Sequence, residues 1–298
     1  MCPRTPNAKR GANVKPISLG YHDVLDDPEA RDESRDCPQR YALSRAGFEA
    51  HLSSIRNKAG EFSVALADSR SAASGHRVFL TFDDGCLGCY ENAAPLLEKF
   101  GWRGHFFITS DWIGRQGFLD RRQIQELRRR GHVIGSHSRS HPARMSHLSI
   151  EELRLEWSES CAALADILGE PVRTASVANG YFSRKVAVCA AEAGIEVLFT
   201  SAPSRRISQV NGCRVLGRYT IFSGTPPRVS GAIANGEIAP RSRQLAAWMA
   251  KQAVKAAAGE SYFAIRKWLL HFMRPPGRAA SGRAAETAIR IDQKGQNR

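Results

Sequence analysis

The chain has 298 residues, 42% hydrophobic and 24% charged, a balance that excludes a disordered polymer and suits one or two packed domains. Its formal net charge of +14 is uneven, because twelve Lys/Arg against three acids between Arg241 and Arg298 place +9 in the C-terminal tail. Seven scattered cysteines argue against a disulfide framework, no run approaches the roughly 20 apolar residues of a spanning helix, and the basic start MCPRTPNAKRGANVK lacks a signal peptide's apolar centre, so a cytoplasmic protein is expected.

Residues 1–14 read as a disordered basic leader, and residues 26–40, polar and rich in Asp and Pro, as loop. Between them Val14–His22 (VKPISLGYH) is a short apolar run that predicts a first strand. From about Gly75 to Pro203 strand and helix patterns alternate. RVFLTF (Arg77–Phe82), GHFFIT (Gly104–Thr109) and HVIGSH (His132–His137) read as buried strands; NAAPLLEKFG and RRQIQELRRRG read as the helices between them. The segment Ser149–Gly169 carries a capping box, Ser149 with Glu152, and a terminal glycine, both marks of helix boundaries. TASVA, RKVAVCAAEAG and EVLFTS continue the alternation. Such a chain forms a parallel sheet covered by helices, and pattern alone leaves an open sheet and a barrel both standing. From residue 231 the segments RQLAAWMAKQAVKAAAG and YFAIRKWLLHF predict a basic helical tail, ending in some twenty residues without an apolar face, hence disorder.

Chemistry concentrates in two places. In Thr81-Phe82-Asp83-Asp84-Gly85 two adjacent carboxylates end an apolar strand, where like charges repel and desolvate poorly unless a cation is near. Gly85 lets the chain turn at the C-terminal mouth of the sheet, where parallel α/β folds bind ligands. In Gly135-Ser136-His137-Ser138-Arg139-Ser140-His141-Pro142 two histidines four apart follow another strand, in a loop rather than on a helix. One carboxylate and two imidazoles suit Zn²⁺ or a similar divalent ion with positions left open for water.

T-F-D-D-G followed some fifty residues later by H-S-x-x-H resembles the paired signature of the polysaccharide deacetylases (carbohydrate esterase family 4, with the NodB-type homology domain). PISLGYHDV, LSRAGFEAHL, NAAPLLEKFG, ELRRRGHVIGSHSRSH and SIEELRLEWSES are similar to the family's corresponding stretches, so the resemblance covers roughly Lys15 to Pro203. It implies an α/β fold, a distorted and incomplete (β/α) barrel with parallel strands, taken here to fill residues 15–230. It also implies a hydrolase acting on amide bonds, which removes N-acetyl groups from an N-acetylhexosamine-containing glycan or glycan precursor. Carried over by position, Asp84, His137 and His141 hold one divalent ion, Zn²⁺ with Co²⁺ or Ni²⁺ as alternatives. Asp83 is the general base that takes the proton of a water activated there.

The departures are specific. Where the family's third motif places a proline and an aromatic, this chain has Ala178 and Asn179, so the oxyanion donor falls to the backbone at Asn179 and Gly180. No arginine precedes Val177 to orient Asp83, and the fourth and fifth motifs, the latter supplying the general-acid histidine, are not found. His22, ending the first strand, is the substitute acid; His271 reads as a helix residue. Cys86 and Cys89 read as packing residues, His132 as structural and His147 as a solvated loop residue, while Asp111, Trp112 and Tyr181 are placed to line a sugar cleft. The alternative function is a catalytically degenerate barrel acting as a carbohydrate-binding or regulatory protein; retention of Asp83 beside Asp84 favours the enzyme. The basic tail suits peripheral contact with an anionic membrane surface, at the inner face of the membrane, and has no nucleic-acid reading motif.

Overall fold

A computed structural model describes residues 15–27, 39–59, 62–64 and 76–258. The chain divides into two units at Met249/Ala250, the second described only over the last turns of a helix. The leader, the YFAIRKWLLHF segment and the final residues lie outside the described residues.

The chain opens with β1 (Ile17–Tyr21) and β2 (Asp23–Leu25), then β3 (Ala42–Ser44), α1 (Arg45–Ala59), β4 (Phe62–Val64) and β5 (His76–Phe82). A single π-helical turn, Cys89–Ala93, leads into α2 (Ala94–Lys99), followed by β6 (His105–Ile108), α3 (Arg121–Arg129), β7 (Val133–Ser136) and α4 (Ile150–Leu168). Then come β8 (Thr174–Ser176), α5 (Arg184–Glu192), β9 (Val197–Phe199), β10 (Ile207–Val210), β11 (Cys213–Leu216), β12 (Tyr219–Thr220), α6 (Pro227–Ala234) and α7 (Ile238–Ala258). The main sheet runs β10-β11-β9-β8-β7-β6-β5-β1-β12, with β4 also on β5, and every pairing in it but β10–β11 is parallel. This is the distorted, incomplete (β/α) barrel that the alternation and the resemblance led us to expect.

Two-residue periodicity sorts the strands' side chains. On the helix-covered face Tyr21 stacks on Phe82 and Phe82 on Phe106, with Phe48 of α1 edge-on to both Tyr21 and Phe82. The opposite face carries a separate cluster, Phe79, Phe107, Val197, Phe199 and Leu216, which plugs the barrel. Gly135 makes room for that plug, since a Cβ there would lie 2.6 Å from the Phe107 ring and 2.7 Å from the carbonyl of Thr174. Both expected helix caps form. Ser149 and Glu152 exchange hydrogen bonds at the start of α4, and Gly169 ends it in the left-handed region. Helix α6 straddles the boundary expected at residue 230 and packs on α1, with Gly231 against Ser54, so the barrel's cover continues past that point.

Candidate metal centre and its surroundings

The Asp83 amide donates to the carbonyl of Tyr21 at 3.1 Å, carrying the β5–β1 register one residue beyond β5. In step with Phe79 and Thr81, Asp83 therefore faces the barrel interior. Asp84 and Gly85 both take positive φ, 75° and 82°, which turns the chain sharply at the sheet's mouth. Two strands away, Ser136 points outward to bond the hydroxyl of Ser160 on α4, so His137 points in, its amide bonded to the carbonyl of Ile108. Five non-glycine residues have positive φ among the described residues, and four of them are Asp84, Ser138, His141 and Asn179. Backbone strain of this kind persists where the surroundings over-determine it, and here it gathers at one place.

The Nε2 atoms of His137 and His141 each lie 3.4 Å from Oδ1 of Asp84. One ligand atom from each of the three residues falls within 4.8 Å of the others. His137 Nδ1 faces the carbonyl of Ser176 at 3.1 Å and its hydroxyl at 2.5 Å. A carbonyl accepts only, so Nδ1 carries the proton and the Nε2 lone pair faces Asp84. Lone pairs so opposed need a positive charge between them. Burial disfavours charge on both groups, yet the carboxylates of Asp83 and Asp84 raise the pKa of His137, and the two adjacent imidazoles hold Asp84 well below the carboxylate range, so positive charge is favoured at this point. The donor set fits a divalent ion with open positions, as a carboxylate and two imidazoles do.

Asp83 is held by a residue that sequence reasoning missed. Arg218, between β11 and β12, grips it bidentately, with NH1 to Oδ1 at 2.6 Å and NH2 to Oδ2 at 2.8 Å, and the Ser176 hydroxyl donates to Oδ1 at 2.9 Å. No arginine precedes Val177, and the one that orients Asp83 comes instead from some forty residues further along the chain than the third motif. Arg218 also donates to Thr81 Oγ1 and to the carbonyl of Thr200. Gly217 permits the approach, because a Cβ there would sit 2.2 Å from the carbonyl of Ala202. Burial raises the pKa of Asp83, but Arg218 above all, with His137, brings it down to about 2.

His22 leaves β1 at the same mouth, where Asp84 and Asp83 pull its pKa up against the larger lowering effect of burial. Its ring stacks on Tyr41 at 4.2 Å, Tyr41 packs on Phe222 at 5.4 Å, and the guanidinium of Arg40 lies over Tyr41 at 4.6 Å. Its Nδ1 is buried with no hydrogen-bond partner. On the other side Trp112 packs against His141 at 4.8 Å. Asn179 and Gly180 form a left-handed turn after β8, and the Asn179 side chain donates to the carbonyl of Pro142, next to His141. Cys86 and Cys89 are buried, and Cys89 Sγ donates to the His22 carbonyl at 2.8 Å. His132 is buried away from the centre, between Gly104 and Glu98.

Residues 70–198 match the family model for polysaccharide deacetylases. The matched region holds Asp83, Asp84, His137 and His141, and its likeness is to the polysaccharide deacetylase family. A Bacillus subtilis protein named for the polysaccharide deacetylases, YxkH, is 25% identical over 191 residues, 62% of this chain and 67% of the relative. A 30.6 kDa Geobacillus stearothermophilus protein is 27% identical over 130 residues, 43% of this chain and 47% of the relative. Among solved structures, the Streptococcus pyogenes deacetylase PplD superposes with a TM-score of 0.61 at 21% identity, covering 76% of this chain and 99% of that one. IcaB from Ammonifex degensii gives 0.60 at 24% identity, with 75% and 98% covered. These likenesses concern the fold.

Proposed function

We propose that the protein hydrolyses the N-acetyl group of an N-acetylhexosamine-containing glycan or glycan precursor, with Asp83 as general base and His22 as general acid. The observation that carries this reading is the pair of neighbouring carboxylates in different environments. Asp84 faces the Nε2 atoms of two imidazoles, whereas Asp83 is locked by Arg218 and Ser176. Asp84, His137 and His141 would hold the ion, Zn²⁺ in the first instance. When bound, such an ion acidifies water and polarises a carbonyl, which a base with a pKa of about 2 requires.

The remaining steps fall to the chain's own residues. A water oxygen attacks the acetamide carbon while Asp83 takes the water's proton at Oδ2, which accepts one bond from Arg218 against two bonds on Oδ1. The Asn179 backbone N–H is the donor for the developing oxyanion, with Gly180 shaping the turn while its own N–H bonds the carbonyl of Val177. The C–N bond then breaks as protonated His22 gives its proton to the leaving amine, yielding acetate and a free amino group on the hexosamine, which stays in the glycan. The Tyr41–Phe222 stack fixes the His22 ring for this transfer, and Trp112 offers a face to the sugar. The basic tail from Arg241 on, at +9, suits an anionic lipid surface as a peripheral contact.

A glycan-binding barrel without turnover has no need of a buried carboxylate held by an arginine beside a metal ligand, and this favours hydrolysis over the degenerate reading. The test is elemental analysis together with acetate release from N-acetylglucosamine oligosaccharides. Wild type should carry about one divalent ion per chain and release acetate. Asp83→Asn should keep the ion and lose roughly 10²–10⁴ in rate, and His141→Ala should lose both. Acetate release undiminished in Asp83→Asn would remove Asp83 from the mechanism.

A further inference from the structure

We infer that Glu156 of α4 is the positioning residue that holds the His141 loop in its ligating conformation and so sets the metal affinity of the site. This rests on the reading of Asp84, His137 and His141 as metal ligands. The loop from Ser138 to His141 has lost the strand ladder, and two of its residues, Ser138 and His141, are in the left-handed region at φ 68° and 58°. Neither is glycine, so the conformation must be imposed from outside.

The loop's amides show what imposes it. Ser138 N–H donates to the hydroxyl of Ser136 at 3.2 Å, and His141 N–H to the hydroxyl of Ser138 at 3.1 Å. The two amides between them, of Arg139 and Ser140, both donate to Oε2 of Glu156 at 3.0 Å, and the Ser140 hydroxyl donates to Oε1 at 2.6 Å. The loop's carbonyls are taken from the other side: Ser110 N–H donates to Ser138 O and Asp111 N–H to Arg139 O. Glu156 is 5% exposed and stands in the middle of the long, doubly capped α4, a rigid place from which to hold a strained loop. Arg139, with a side-chain nitrogen 3.8 Å away, is its nearest cationic partner, and that side chain bonds Glu159 at 2.5 Å instead. The carboxylate is therefore spent on the loop backbone. Without it two part-buried amides lose their acceptor, and the His141 ring is left to the loop's relaxed conformation.

Supporting groups behind metal ligands change metal affinity by about 10–100-fold when removed. The experiment measures Zn²⁺ affinity of the full-length protein by competition with a chromophoric chelator, alongside hydrogen exchange of the Arg139 and Ser140 amides in the metal-free protein. Glu156→Ala should weaken Zn²⁺ by about 10–100-fold and expose both amides to exchange. Glu156→Gln, whose amide oxygen can still accept from both N–H groups, should stay near wild type in both measurements. Glu156→Asp, one methylene short of the loop, serves if the alanine variant does not fold, and should match its losses. Wild-type Zn²⁺ affinity in the alanine or aspartate variant would overturn the inference while leaving the metal reading intact. If wild type itself binds no Zn²⁺, the metal reading fails, and the inferred role of Glu156 fails with it.

Discussion

Asp83 and Arg218 form an ion pair whose side chains are 7% and 3% exposed. Two charges so far from water stabilise the fold only as a pair, and removing one strands the other at a cost of about 3–5 kcal/mol. Arg218→Gln should therefore lower the unfolding free energy of the metal-free protein by about that much, read by denaturant unfolding in a chelator. Adding Asp83→Asn to Arg218→Gln should restore part of the loss, because the orphan charge disappears with it. If the double variant is no more stable than Arg218→Gln alone, the pair is not what holds this part of the interior. The same two residues mark the limit of what the sequence discloses. Asp83, Asp84, His137 and His141 announce themselves because each cluster sits at the end of a strand pattern. Arg218 sits in LGRYT with nothing local to distinguish it from any other arginine in a chain of 43 Lys/Arg, and Glu156 is one glutamate among several on an amphipathic helix. Their roles come from contacts across 135 and 17 residues of sequence, which periodicity does not report.

At the scale of elements, the strands and helices from β5 to β9 were legible because each has an apolar period and a boundary signal. Asp120 with Gln123 and Ser149 with Glu152 both form capping boxes, and Gly169 closes α4. Less legible were β2 and β3, three residues each and paired only with one another, and β10 to β12, short strands in a polar stretch whose burial comes from their neighbours. The start of β7 shows an element held by a titratable group. His132 Nδ1 accepts from the amide of Gly104 at 3.1 Å, so the neutral ring carries its proton on Nε2, which donates to Glu98 at 2.8 Å. Protonating Nδ1 would cost the Gly104 bond, and burial, partly offset by Glu98, lowers the pKa of His132 from 6.5 to about 4. With the folded value below the unfolded one, the unfolded chain binds the proton first on acidification. The stabilisation is complete above pH 6.5 and is lost as the pH falls from there to about 4, by roughly 2–3 kcal/mol. His132→Asn, which keeps an acceptor for Gly104 without titrating, should show a shallower fall over that window in denaturant unfolding. Parallel profiles for wild type and variant would locate the acid sensitivity elsewhere.

Across the whole barrel unit, the sheet is open between β10 and β12, and its closure depends on side chains more than on a ladder. The chain steps from β11, paired to β9, to β12, paired to β1, through Gly217 and Arg218 alone. Arg218 then reaches through the interior from the carbonyl of Thr200, just after β9, to Thr81 and Asp83 of the β5 end. Asp84, one residue on, faces His137 and His141 from the end of β7. A metal held there would thus join the β5 and β7 ends at the point where Arg218 already joins β5 to β9 and β11, and binding should register as stability of the barrel rather than of one loop. An ion at 100 times its dissociation constant adds about 2.7 kcal/mol if the unfolded chain does not bind it. For a unit of this size that corresponds to a rise in Tm of roughly 5–10 °C. Thermal unfolding followed by circular dichroism, with and without Zn²⁺, should show this rise in wild type and not in His141→Ala. A rise of equal size in the variant would place the bound ion outside the Asp84–His137–His141 centre. No rise in either protein would mean that these three residues, however well arranged, do not hold zinc in solution.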